Sequence, residues 1–69
     1  MNKDIKALYV AIENNEVVCF DTNLSKFHLH FSNMEPQCPS YIIFHRAFKK
    51  GYKFTKTLSG KGYHFQKVL

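Results

Sequence analysis

The chain predicts an α+β domain with the element order ββααββ. In this fold two hairpins form a four-stranded antiparallel sheet, and two helices cover one of its faces. Three observations carry that prediction. The pattern Lys-Gly-Tyr-x-Phe-x-Lys occurs twice, at 50–56 and at 61–67, around a glycine-rich turn. Two runs of β-branched and aromatic residues flank Asn14-Asn15. Between these hairpins, two stretches repeat apolar residues at helical spacing, each led by residues that start helices.

Residues 5–13, Ile-Lys-Ala-Leu-Tyr-Val-Ala-Ile-Glu, have strand composition. Asn14-Asn15 is a turn signal because asparagine tolerates positive φ, and Val17 to Phe20 returns as the second strand. Leu8, Val10 and Ile12 compete with Tyr9 and Ala11 for the buried side, the pattern of a central or doubly covered strand.

Asp21, Thr22 and Asn23 can each cap a helix N-terminus. Leu24, Phe27, His28 and Phe31 then fall at i, i+3, i+4 and i+7, which predicts a helix over about 23–33. Met34 to Pro39 connects. Pro39 suits the first turn of a second helix, where its missing N–H costs nothing. Tyr41, Phe44, His45 and Phe48 make its apolar face, widened by Ile43 and Ala47, while Arg46, Lys49 and Lys50 project away. The two lysines favour the negative end of the helix dipole, and Gly51 suits the position just past it.

The repeated pattern alternates aromatic and polar residues, as a strand with unlike faces does. Turning at Gly60-Lys61-Gly62 sets strands near 52–58 and 63–69, with Leu58 opposite Tyr63 and Lys56 opposite Phe65. One face then carries Tyr52, Phe54, Lys56, Leu58, Tyr63, Phe65, Lys67 and Leu69. It serves either as a core face, with lysine stems laid over rings, or as an exposed platform on which bases stack while lysines hold phosphates.

Sixty-nine residues make one small domain, 1–69, with little core to spare. Seven Phe and four Tyr compensate, and a homodimer, which would add burial, stays open. Charge is uneven. Residues 1–35 carry three lysines against five acids, whereas residues 36–69 carry seven basic residues and no acid. Such polarity points to an anionic partner, either nucleic acid or an acidic protein surface. No apolar run is long enough to span a bilayer, so no membrane partner is expected. Cys19 and Cys38 are expected to be reduced thiols of a cytoplasmic protein.

Catalytic and metal chemistry find little footing. His28, His30, His45, His64 and the two cysteines lack the local pair spacing of a zinc site, so no metal and no cofactor is expected. Cys38, before a helix start, could have a lowered thiol pKa, but no oxyanion loop or acidic orienter accompanies it. The protein is therefore read as non-enzymatic.

Lys50, Gly51, Tyr52 and Phe54 match the start of the RNP1 pattern, K/R-G-F/Y-G/A-F-V-x-F/Y, and in those positions the chain resembles RNA-recognition domains. Lys53, Thr55 and Thr57 depart from it, and ββααββ differs from the β-α-β-β-α-β order of that family. The resemblance implies base stacking by alternate aromatics beside lysines. The expected function is accordingly that of a small basic binding module, nucleic acid first. The alternative is a stand-alone inhibitor or accessory subunit, of the kind phages and mobile elements use, docking its basic face on an acidic protein. The candidate surface comprises Arg46, Lys49, Lys50, Tyr52, Lys53, Lys56, Lys61, Tyr63 and Lys67, with Lys53 on the strand face opposite Lys56.

Overall fold

The computed structural model describes residues 7–68. The six elements follow the expected order: β1 Leu8–Glu13, β2 Glu16–Asp21, α1 Leu24–Met34, α2 Tyr41–Lys50, β3 Lys53–Leu58 and β4 Lys61–Val68. The strands form one antiparallel sheet in the order β2-β1-β4-β3, so the first and last strands are its central pair. Ile5 and Lys6, expected in the first strand, and Leu69, expected in the last, lie outside the described residues.

Both hairpins close through two residues at positive φ. Asn14 (φ 55°) and Asn15 (φ 65°) turn β1 into β2, and Ser59 (φ 52°) and Gly60 (φ 75°) turn β3 into β4. Two left-handed residues match the twist of the strands they join. In the second hairpin Leu58 pairs with Lys61, Lys56 with Tyr63 and Phe54 with Phe65. The expected register, Leu58 opposite Tyr63, is corrected by two residues. Ser59 rather than Gly62 supplies the second left-handed position, so Lys61 and Gly62 join the strand. A shift of two leaves every side chain on its expected face.

Asn23 caps α1, its side chain accepting from Lys26 N at 3.0 Å. For α2 the cap residue is Ser40, and Pro39 precedes it instead of opening the first turn. The Pro39 carbonyl accepts from His28 Nε2 at 2.8 Å, which ties the connector back to α1. Gly51 ends α2 in extended conformation, φ −170°, so its freedom to turn left-handed goes unused.

The helices cover one face of the sheet. Ala11, Cys19, Phe27, Phe31, Phe44, Phe48, Tyr63 and Phe65 form the core, with Tyr9, Leu24, Phe54 and Leu58 packed around it. The rings interlock edge-to-face: Phe31 meets Tyr63 at 5.0 Å and Phe65 at 5.2 Å between centroids. The competition along β1 resolves in favour of Tyr9 and Ala11, because the small Ala11 leaves room for four fully buried phenylalanines. Leu8, Val10 and Ile12 lie half-buried on the uncovered face, next to exposed Val17 and Phe20. No helix among the described residues is long and apolar enough to cross a membrane.

Candidate partner-binding surface

The basic residues follow from the two alternations that build the fold. On α2, burying Phe44 and Phe48 leaves Arg46, Lys49 and Lys50 exposed. Along β3, Phe54 and Lys56 point to the helix side, and Lys53, Thr55 and Thr57 to the uncovered side. Where α2 runs beside β3, a groove of about 330 Å³ is lined by Ile43, Arg46, Ala47 and Lys50 from the helix and by Phe54, Thr55 and Lys56 from the strand. Three cations thus meet over a partly apolar floor, with no carboxylate among the lining residues. Ile42 and Ile43, both exposed, extend the apolar area along the helix.

The groove borders a free strand edge. Lys67 N donates to Tyr52 O at 2.6 Å. Bonded and non-bonded pairs alternate in an antiparallel ladder, so Phe54, Lys56 and Leu58 spend their backbone groups on β4. Lys53, Thr55 and Thr57 aim N–H and C=O outward, where no strand pairs with them among the described residues.

The nine candidate residues do not form one surface. Arg46, Lys50 and Lys56 converge on the groove, whereas Lys49 and Tyr52 are exposed without lining it and Lys53 lies on the uncovered face of the sheet. Lys61 sits at the hairpin turn, about 20 Å along β4 from Lys67. Lys67 holds its ammonium 5.9 Å from the Tyr9 ring centroid, the cation–π position considered for it. Tyr63 is 2% exposed and belongs to the core, so it presents no ring to a partner. Phe54 likewise packs against Phe44, Phe48 and Phe65. The stacking platform implied by the RNP1-like positions is therefore reduced to Tyr52, which is 73% exposed. The aromatics of the repeat face the helices because the sheet has only one covered side, and rings bury the most area there.

A second concavity, about 590 Å³, lies on the uncovered face beside Ile12, Lys53, Thr55, His64 and Gln66. It is the larger of the two, yet it gathers a single fixed charge, Lys53.

Glu35 is a residue that sequence reasoning missed. It is 1% exposed and caps the end of α1, with its N–H bonded to Phe31 O. Its carboxylate accepts from Tyr63 Oη at 2.9 Å, from Gln37 N at 2.9 Å and from Ser59 Oγ. Bonds from Ser59 and Gln37 lead in holding this carboxyl below the ordinary range, against the effect of burial. Ser59 N also donates to the Gln37 side chain at 2.9 Å. The β3–β4 turn is thereby fastened to the connector after α1. No local pattern announces this, since the partners lie more than twenty residues apart.

Cys19 and Cys38 are free thiols. Burial, with Glu35 and Cys19 nearby, pushes the Cys38 thiol up to about 11. A lowered, reactive thiol at this position is corrected: Cys38 precedes the α2 cap by two residues, and its sulfur donates to Pro39 O. Among the described residues no group of three or more His, Cys, Asp or Glu side chains is placed to hold a metal ion.

Comparison with known proteins finds no matching family model, no matching curated protein and no matching solved structure.

Proposed function

We propose that the protein is a non-enzymatic binding module that docks an acidic protein partner on the basic surface of α2 and β3. The observation that carries this reading is the groove itself. Arg46, Lys50 and Lys56 surround apolar Ile43 and Ala47 beside a strand edge that no strand among the described residues pairs with. Charge complementarity steers and selects such a partner, while the apolar floor supplies area that desolvates on contact. Inhibitor or accessory-subunit roles fit this mode of action.

The test is a pull-down from lysate with and without nuclease, using the wild type and a variant carrying Arg46→Glu and Lys50→Glu. The expected result is a discrete acidic protein kept by the wild type after nuclease treatment and lost by the variant. A partner that vanishes with nuclease overturns the reading.

Nucleic-acid binding is the second reading, and Tyr52 favours it. The ring is exposed between Lys50 and Lys53, so one base could stack there while the ammonium groups meet phosphates. It ranks second because Tyr63 and Phe54 are occupied in the core. A homodimer, open from the shortness of the chain, has exposed Val17 and Phe20 on the uncovered face in its favour. Sedimentation from micromolar to millimolar concentration tests it.

A further inference from the structure

We infer that the groove between α2 and β3 receives an acidic, extended polypeptide segment that pairs with the outer edge of β3 as a fifth strand. This rests on the docking reading above and adds the partner's conformation and chemistry.

The backbone argument comes first. Lys53, Thr55 and Thr57 present alternating N–H and C=O groups along one edge, which is the complement of another strand. A phosphate backbone has acceptors only and leaves the outward carbonyls unmatched. A polypeptide matches both.

The side-chain argument fixes the charge. A strand added at this edge points every second side chain toward α2, where Arg46, Lys50 and Lys56 stand around Ile43 and Ala47. Carboxylates on that side meet three cations, and β-branched residues at the intervening positions suit an extended chain. Lysines along an exposed edge also deter unwanted pairing. A second copy of β3 brings its own lysines to this basic edge, and like charges facing each other across a strand pair are unfavourable. The other edge strand, β2, is a poor occupant as well. Its pairing with β1 is interrupted by a bulge, and Asp21 is already engaged by Asn23 N and His30. The observations therefore favour a foreign acidic segment over self-assembly.

The probe is a capped, labelled heptapeptide alternating glutamate and valine, titrated at low salt and followed by anisotropy and by backbone amide shifts. Two further peptides carry N-methyl groups, one on the glutamate nitrogens and one on the valine nitrogens. A strand held by one edge uses only one of these sets. Strand pairing predicts that one methylated peptide binds like the parent and the other at least about tenfold more weakly. Amide shifts should concentrate at Lys53, Thr55 and Thr57. Thr55→Pro removes an outward N–H that β4 does not use, and should weaken the parent peptide by a similar factor. If that variant fails to fold, the two methylated peptides still decide. Equal binding by both, with the parent still sensitive to Arg46→Glu, overturns strand pairing and leaves basic docking standing. No binding of the parent, with an oligodeoxythymidine bound instead, overturns both.

Discussion

Tyr63 donates its hydroxyl to Glu35 Oε1 at 2.9 Å, joining the middle of β4 to the residue that ends α1. The bond lies inside the core, and burial, followed by this carboxylate, pushes the phenol up to about 12. Tyr63 thus stays neutral and donating across the ordinary pH range.

Tyr63→Phe should keep the fold and the binding surface while removing one charge-assisted bond. Such a bond is worth about 1.5–3 kcal/mol, and each kcal/mol moves the melting of a chain this size by about 4–8 °C, so thermal melting should fall by at least about 6 °C. Tyr63→Ala should cost about 3–5 kcal/mol by leaving a cavity under Phe31. Partner binding by the folded Tyr63→Phe variant should equal that of the wild type. A loss of binding without a loss of stability would return this ring to the partner surface.

Glu35 makes stability depend on acidity in a defined direction. Its carboxyl lies below the ordinary value of 4.5 in the folded protein. The unfolded chain therefore takes up a proton first as pH falls. The contribution is complete above the unfolded value and is lost as pH falls through the folded one. Denaturant titrations between neutral pH and about pH 2 should show the wild type losing its advantage over Glu35→Gln across that interval. Parallel pH curves for the two proteins would remove Glu35 as the cause.

Arg46→Glu with Lys50→Glu should lower melting only by a few degrees: both side chains project from α2 into solvent, and the one cost is a glutamate at the negative end of the helix dipole. Affinity for an acidic partner should drop by at least about tenfold at low ionic strength, and the difference should shrink as salt screens the surface. Calorimetry at two salt concentrations reads both effects. Tyr52→Ala should change affinity only for a single-stranded nucleic acid, by about 1–3 kcal/mol if a base stacks on the ring.

Cys38 should react slowly. A thiol at about 11 holds little thiolate near neutrality. Alkylation by iodoacetamide at neutral pH should be much slower in the folded protein than in denaturant, and Cys19, also raised by burial, should lag as well. Rapid modification of native Cys38 would contradict its packing.

The fold was legible wherever one short stretch holds its own instructions. Asn14-Asn15 marks a turn by its tolerance of positive φ, Asn23 caps the helix it precedes, and the spacing of Leu24, Phe27 and Phe31 marks one helical face. The alternation through Phe54, Tyr63 and Phe65 fixed their common face. It left open whether that face meets helices or a partner, because alternation reads the same in both cases. Ser59 shows where local reading stops. A serine enters the left-handed region here with Gln37 and Glu35 bonded to it, both distant in the chain. The groove was only half visible. Arg46, Lys49 and Lys50 were recognisable as an exposed helical edge, but that Lys56 joins two of them depends on α2 lying beside β3. The scattering of Lys61 and Lys67 follows from their positions at opposite ends of one strand.

The central pairing of β1 with β4, Leu8 opposite Val68, sets the order in which a newly made chain can become protein. Of the six elements, β1 leaves the ribosome first and β4 last. Until β4 emerges, β1 and β3 lack the neighbour they share, and Phe27, Phe31 and Phe44 lack Phe65. Hairpin β1–β2 and the helices can form early, but the sheet cannot close before β4 has emerged. Nascent chains stalled before residue 61 should therefore be cut readily by protease, whereas chains in which β4, through Val68, has cleared the ribosome should resist.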